Sequence, residues 1–138
     1  MRIMGLDIGD RRIGVAMSDP ERIIASPIDV IIREDDSSAI AAINDLMNKW
    51  DVKHIVVGLP YSLNGSVGSQ AEKVKAFADK LANETGAVIE LKDERLSTVA
   101  VGRLLKESRN KKSRKLPRDD AAAAYILQGY LDSLKAGS

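Results

Sequence analysis

Three separated segments of the chain carry acidic residues where chemistry could be done. In GLDIGDRRIG, Asp7 closes an apolar run and is followed at once by a glycine turn. In KDERLST, Asp93 and Glu94 follow a run that reads as a strand. In PRDDAAAAYILQGYLD, Asp119 and Asp120 open a helix-like stretch. Each has an ordinary structural use: a turn aspartate bonding nearby amides, a solvated loop before a Ser97 or Thr98 cap, and acids favoured by a helix dipole. Brought together, the carboxylates would repel one another unless cations bound between them. Two divalent ions ~4 Å apart can activate water and stabilise a leaving oxygen in phosphodiester hydrolysis.

The composition narrows the alternatives. The 138 residues include no cysteine and one histidine, His54. Thiol nucleophiles, zinc-thiolate sites and a multi-imidazole metal site are therefore excluded within one chain. Metal chemistry must rest on carboxylates, whose hard oxygen donors suit Mg2+ or Mn2+. No glycine-rich nucleotide fingerprint is present, and NGSVGS is a poor match to one. The net charge is +1, so affinity for a polyanion must come from local clustering. Such a cluster exists: between Arg109 and Arg118 stand six basic residues, among them Arg114, Lys115 and Arg118, with no acid. Charge runs are usually solvated loops, but this one leads directly into Asp119. Scarce aromatics point to contacts with the phosphate backbone rather than to base stacking.

The elements that must position these groups read as α/β. Arg2–Leu6, Ile13–Ser18 and Ile23–Ile32 are expected strands with short connections, an antiparallel meander. Pro27 puts the third at a sheet edge. Ile40, Ile43, Leu46, Met47 and Trp50 recur at helical spacing, with Asp36, Ser37 or Ser38 as the cap. His54–Gly58 is a compact buried strand, with His54 at its start. Ala71, Val74, Phe77, Ala78 and Leu81 mark a second helix ending near Gly86. Ala87–Leu91 is a strand, about Ser97 to Lys106 a short helix, and Asp119–Leu134 the last helix, with Ala122, Ile126, Tyr130 and Leu134 on one face. The later strands alternate with helices and should join the sheet in parallel. A mixed five-stranded sheet, three antiparallel strands then two parallel, follows within one domain spanning residues 1–138. No signal peptide or membrane span is read, so a cytoplasmic location is expected.

The pattern D-x-G…G around Asp7 is shared by actin-like ATPases and sugar kinases and by ribonuclease H-like nucleases. The first group closes two such domains on a nucleotide, and this chain holds one. Taken in order, MGLDIGDRRIGVAMSDP, IVVGLPYSLNGSVG, DERLST and DDAAAAYILQGYLD resemble the YqgF family, also called RuvX. The matches extend across nearly the whole chain.

The resemblance implies a ribonuclease H-like fold related to the RuvC resolvases and a metal-dependent nuclease with three acidic ligands. Carried over by motif, these are Asp7, Glu94 and one aspartate of the final helix, Asp119, with Asp120 as the alternate. Gly58, Leu59 and Pro60 match the family's GLP loop, and Arg11 or Arg12 its arginine after the first turn. Arg11, Arg12, Arg95, Arg114, Lys115 and Arg118 are the candidates to engage phosphates. Family members have been proposed to resolve four-way DNA junctions and are also described as processing the 5′ end of the 16S ribosomal RNA precursor. Junction resolution would need two active sites acting symmetrically, hence a homodimer. No obvious dimerisation helix is seen, which favours single cuts in structured RNA, and the chain is expected as a monomer or a homodimer. The remaining rivals are a non-catalytic nucleic-acid-binding module on the same fold and a phosphotransferase fragment.

Overall fold

The computed structural model describes residues 2–59, 69–93 and 118–136. Its elements run β1 (Ile3–Ile8), β2 (Arg12–Ser18), β3 (Ala25–Ile32), α1 (Asp36–Trp50), β4 (His54–Leu59), α2 (Ser69–Thr85), β5 (Val88–Asp93) and α3 (Arg118–Ala136). The five strands form one sheet in the order β3-β2-β1-β4-β5. β1, β2 and β3 pair antiparallel, and β4 and β5 join in parallel beyond β1. This is the mixed sheet expected from the sequence. The expected helix over Ser97–Lys106 lies outside the described residues.

Alternation along each strand divides the core. From β1, Met4, Leu6 and Ile8 face the side covered by α1 and α2, together with Ile13, Val15, Ile55 and Val57. Ile3 faces the other side, with Ala16, Val56 and the α3 residues Ala123, Ile126, Leu127 and Leu131. A period of two therefore buries both faces of the central strands. β3 is an edge strand, as Pro27 demands, and its register slips: Val15 pairs with Asp29 but Ala16 with Pro27, leaving Ile28 as a bulge.

Two details differ from the sequence reading. The N-cap of α1 is Asp35, whose Oδ1 accepts from the Ser38 amide at 2.7 Å, rather than Asp36, Ser37 or Ser38. Asp36 is held instead by Arg33 at 2.9 Å, so the residue one position earlier takes the cap. The buried face of α3 is Ala123, Ile126, Leu127 and Leu131, whereas Leu134, expected on it, is 42% exposed. A run of four alanines carries no facial signal, and the partner surface decides the rotation. That surface is Gly5, where an added Cβ would stand 2.7 Å from Leu127 Cβ and 3.1 Å from the Ala123 carbonyl. Only a residue without a side chain lets α3 cross β1 this closely. Among the described residues no helix is long and apolar enough to cross a membrane.

Candidate functional site

Asp7 is the penultimate residue of β1, the central strand of the sheet. It follows Ile3 and Gly5 on the face that α3 covers. Its antiparallel partner on β2 is Gly14. On the other side the register pairs Leu6 with Val57, so the next position level with Asp7 is Gly58. Asp7 is thus flanked in its own row by two residues without side chains. The parallel strands β1, β4 and β5 all end at this edge, and β5 ends at Asp93, the residue before Glu94. Ligands in open α/β sheets bind outside such carboxyl ends.

The direction of α3 follows from its contacts. Ala123 and Leu127 lie over Gly5, while Tyr130 meets His54, which pairs with Ile3 at the start of β1. The helix therefore runs antiparallel to β1, and its first turn approaches the edge where Asp7 stands. Asp119 precedes Ala123 by one turn, about 6 Å along the axis, and continues the i+4 row of Ala123, Leu127 and Leu131. Asp120 stands three residues before Ala123. Asp7 lies two residues, roughly 6.6 Å, beyond Gly5 along the strand. Helix and strand thus converge on one edge from opposite directions.

Behind Asp7 the chain turns sharply. The Gly9 amide donates to the Arg12 carbonyl at 2.8 Å, and an added Cβ on Gly9 would meet that same oxygen at 2.8 Å. Arg11 and Arg12, both phosphate candidates, are exposed on this turn. Sequence reasoning missed the residue beneath it. The Arg33 guanidinium donates to the Gly9 carbonyl at 2.8 Å and to Asp36, and lies 4.7 Å over the Phe77 ring. Its only sequence signal is the i,i+3 spacing to Asp36. Next to it a cavity of about 480 Å³, lined by residues including Asp10, Asp36, Lys73 and Lys80, opens on the α1–α2 side, opposite the face of Asp7.

Of the other sequence candidates, Arg118 is the first residue of α3, and Asp119 and Asp120 follow it in the first turn. Glu94, Arg95, Arg114 and Lys115 lie outside the described residues, as do Pro60 and most of the Arg109–Arg118 segment. Among the described residues no three His, Asp or Glu side chains gather to hold a metal ion. His54 stands at the opposite edge of the sheet, its Nε2 3.4 Å from Glu90 Oε1 and its ring edge-on to Tyr130.

The chain is 48% identical over 135 residues to a Moorella thermoacetica protein named "Putative pre-16S rRNA nuclease", covering 97% of this chain and 96% of that one. A Clostridium botulinum protein of the same name is 46% identical over 135 residues, covering 97% and 98%. Among solved structures, Thermus thermophilus RuvC in complex with a Holliday junction substrate superposes with a TM-score of 0.69 at 13% identity, over 100% of this chain and 97% of that one. The fowlpox virus Holliday junction resolvase gives 0.57 at 16% identity, over 96% and 99%. These structural likenesses establish a RuvC-like, ribonuclease H-like fold. The family model described as RuvX, Holliday junction resolvase, matches residues 1–133, and the chain belongs to that family.

Proposed function

We propose that this protein is a divalent-metal-dependent endonuclease that processes the 5′ end of the 16S ribosomal RNA precursor in the cytoplasm. Membership of the family makes it a hydrolase acting on ester bonds. The observation that carries the reading is the setting of Asp7, at the end of the central strand between Gly14 and the Gly58 position, on the face approached by the first turn of α3.

The donor set fits Mg2+ or Mn2+. Asp7, Glu94 and Asp119 offer hard carboxylate oxygens, and the chain's one imidazole sits at the far edge of the sheet. When bound, such ions would supply Lewis acidity to a water and a phosphodiester and offset the charge that develops there. The protein's own task is to hold three like charges at one strand edge, a repulsion that favours cation binding. Gly14 and the Gly58 position add no side chain to the row in which Asp7 stands. Arg11, Arg12 and Arg118, with Arg95, Arg114 and Lys115, would engage the backbone and make affinity fall with salt.

A second reading, a resolvase of four-way DNA junctions, is favoured by the family's own description. One experiment addresses both: incubation with matched precursor ribosomal RNA and four-way junction substrates, with and without Mn2+. Metal-dependent trimming of the RNA at its 5′ end is expected. Asp7→Asn should retain binding and lower cleavage well beyond 100-fold, since outer-shell changes at metal sites already cost about 10–100-fold. Asp119→Asn should match it, and Asp120→Asn should stay near wild type. Undiminished cutting by Asp7→Asn would overturn the mechanism, and salt-dependent binding without any cutting would leave a non-catalytic binding module.

A further inference from the structure

We propose that Arg33 is a positioning residue, one that sets the β1–β2 turn so that Arg11 and Arg12 meet the phosphodiester backbone of a nucleic acid. The inference rests on the nucleic-acid role proposed above for that turn.

The turn is closed by the Ile8–Ile13 pair and by the Gly9 amide donating to the Arg12 carbonyl. The two carbonyls on either side of Asp10 both accept from Arg33: Gly9 O from the side-chain Nη1 at 2.8 Å, and Arg11 O from the backbone amide at 2.8 Å. Arg33 follows the last residue of β3 and so ties the turn to the far end of the meander. The same guanidinium is fixed at its other side. Nε and Nη2 donate to Asp36 Oδ1 at 3.2 and 2.9 Å, and the plane lies 4.7 Å over Phe77, a core residue of α2.

The Arg33 side chain is 15% exposed, on the wall of the cavity that Asp10 and Asp36 also line. Its charge is already matched by Asp36. What remains available to solvent is the pair it supports, since Arg11 and Arg12 are both exposed. A lysine could not reproduce this role. An ammonium is a point donor, whereas the guanidinium fork serves a carbonyl and a carboxylate in fixed directions while stacking on a ring. The brace therefore converts the order of α1 and α2 into a fixed position for two cations four and five residues after Asp7.

The test uses the full chain with two probes, a four-way DNA junction and a hairpin RNA carrying a 5′ extension. Dissociation constants are measured across a salt series for wild type, Arg33→Lys, the pair Arg11→Ala/Arg12→Ala, and all three changes combined. Arg33→Lys should weaken binding about 3–10-fold and flatten the salt dependence by one to two phosphate contacts. In the background lacking Arg11 and Arg12 it should have no further effect, because nothing remains for it to position. Amide exchange at Gly9 and Arg12 should rise in Arg33→Lys whether or not a nucleic acid is present. An equal loss of affinity in both backgrounds, or a lowered melting temperature with unchanged affinity, would overturn the proposal and leave Arg33 a purely structural residue. Unchanged exchange at the turn would also overturn it. If wild type itself bound neither probe, the nucleic-acid reading would fail and take this inference with it, an outcome the wild-type arm identifies alone.

Discussion

At the edge where β1, β4 and β5 begin, polar groups are tied down by long-range hydrogen bonds. Ser18 Oγ accepts from the Ile3 amide at 2.8 Å, and Arg2 donates to the Ser18 carbonyl at 3.0 Å. Gln128 of α3 bridges the start of β3, accepting from the Ala25 amide and donating to the Ile23 carbonyl, both at 2.9 Å. At the edge where the same strands end, the residues flanking Asp7 are glycines, the turn is braced from outside, and acids gather at the start of α3. One edge anchors the helix to the sheet. The other is kept small, with glycine on both sides of Asp7. The anchoring at the first edge also sets the direction of α3, whose first turn approaches the second.

The sharpest way to break this arrangement is at the crossing point. Gly5→Ala would place a Cβ 2.7 Å from Leu127 Cβ and 3.1 Å from the Ala123 carbonyl. Neither atom belongs to a flexible side-chain end, so α3 must shift. Overpacking of this kind costs about 1–3 kcal/mol, and a fall of several degrees in melting temperature is expected. If the two edges are coupled through α3, cleavage should also drop at temperatures where the variant remains folded. A stability loss with full activity per folded molecule would show that the first turn of α3 keeps its place without the close crossing.

A smaller effect should follow at the anchoring edge. Gln128→Ala removes both bonds to the β2–β3 connection and the start of β3. Both partners are near solvent, so water replaces part of the loss and a cost of about 1 kcal/mol is expected. Amide exchange should rise at Ala25 and not at Gly9. Exchange rising equally at both would mean that the sheet loosens as a whole rather than at one edge.

These contrasts also explain what could be read in advance. The meander, the parallel pair and the buried faces of α1 and α2 were legible because apolar residues there follow clean periods of two and 3.6. Pro27 marked its own strand as an edge. The rotation of α3 was not legible, because the alanines at 121–124 offer no preference and the deciding residue, Gly5, lies more than a hundred positions away. Arg33 was hidden for a related reason: its partners at positions 9 and 11 are carbonyls, which every residue has. The motifs did single out Asp7, and the register supplied what they could not, the glycine neighbours on both sides of it.

The smallest effect sharpens the comparison through pH. Tyr130, on the anchoring half of α3, has its hydroxyl pushed up to about 12, first by burial and then by the hydrogen bond to Glu90 and that group's charge. The folded chain therefore holds this proton more tightly than the unfolded chain, whose tyrosine titrates near 10. The stabilising contribution is complete below pH about 10 and is lost as pH rises through about 12. Other groups titrate in the same window, so the measurement is a difference: melting temperatures of wild type and Tyr130→Phe compared at about pH 8 and about pH 11.5. Wild type should lead at the lower pH by the worth of one hydrogen bond, on the order of 1 kcal/mol. That lead should shrink toward zero at the higher pH, where the phenolate would face the Glu90 carboxylate. No lead at either pH would mean that Tyr130 contributes only its ring, packed edge-on against His54 and kept by phenylalanine, and that this end of the helix is held by Gln128 and apolar contact alone.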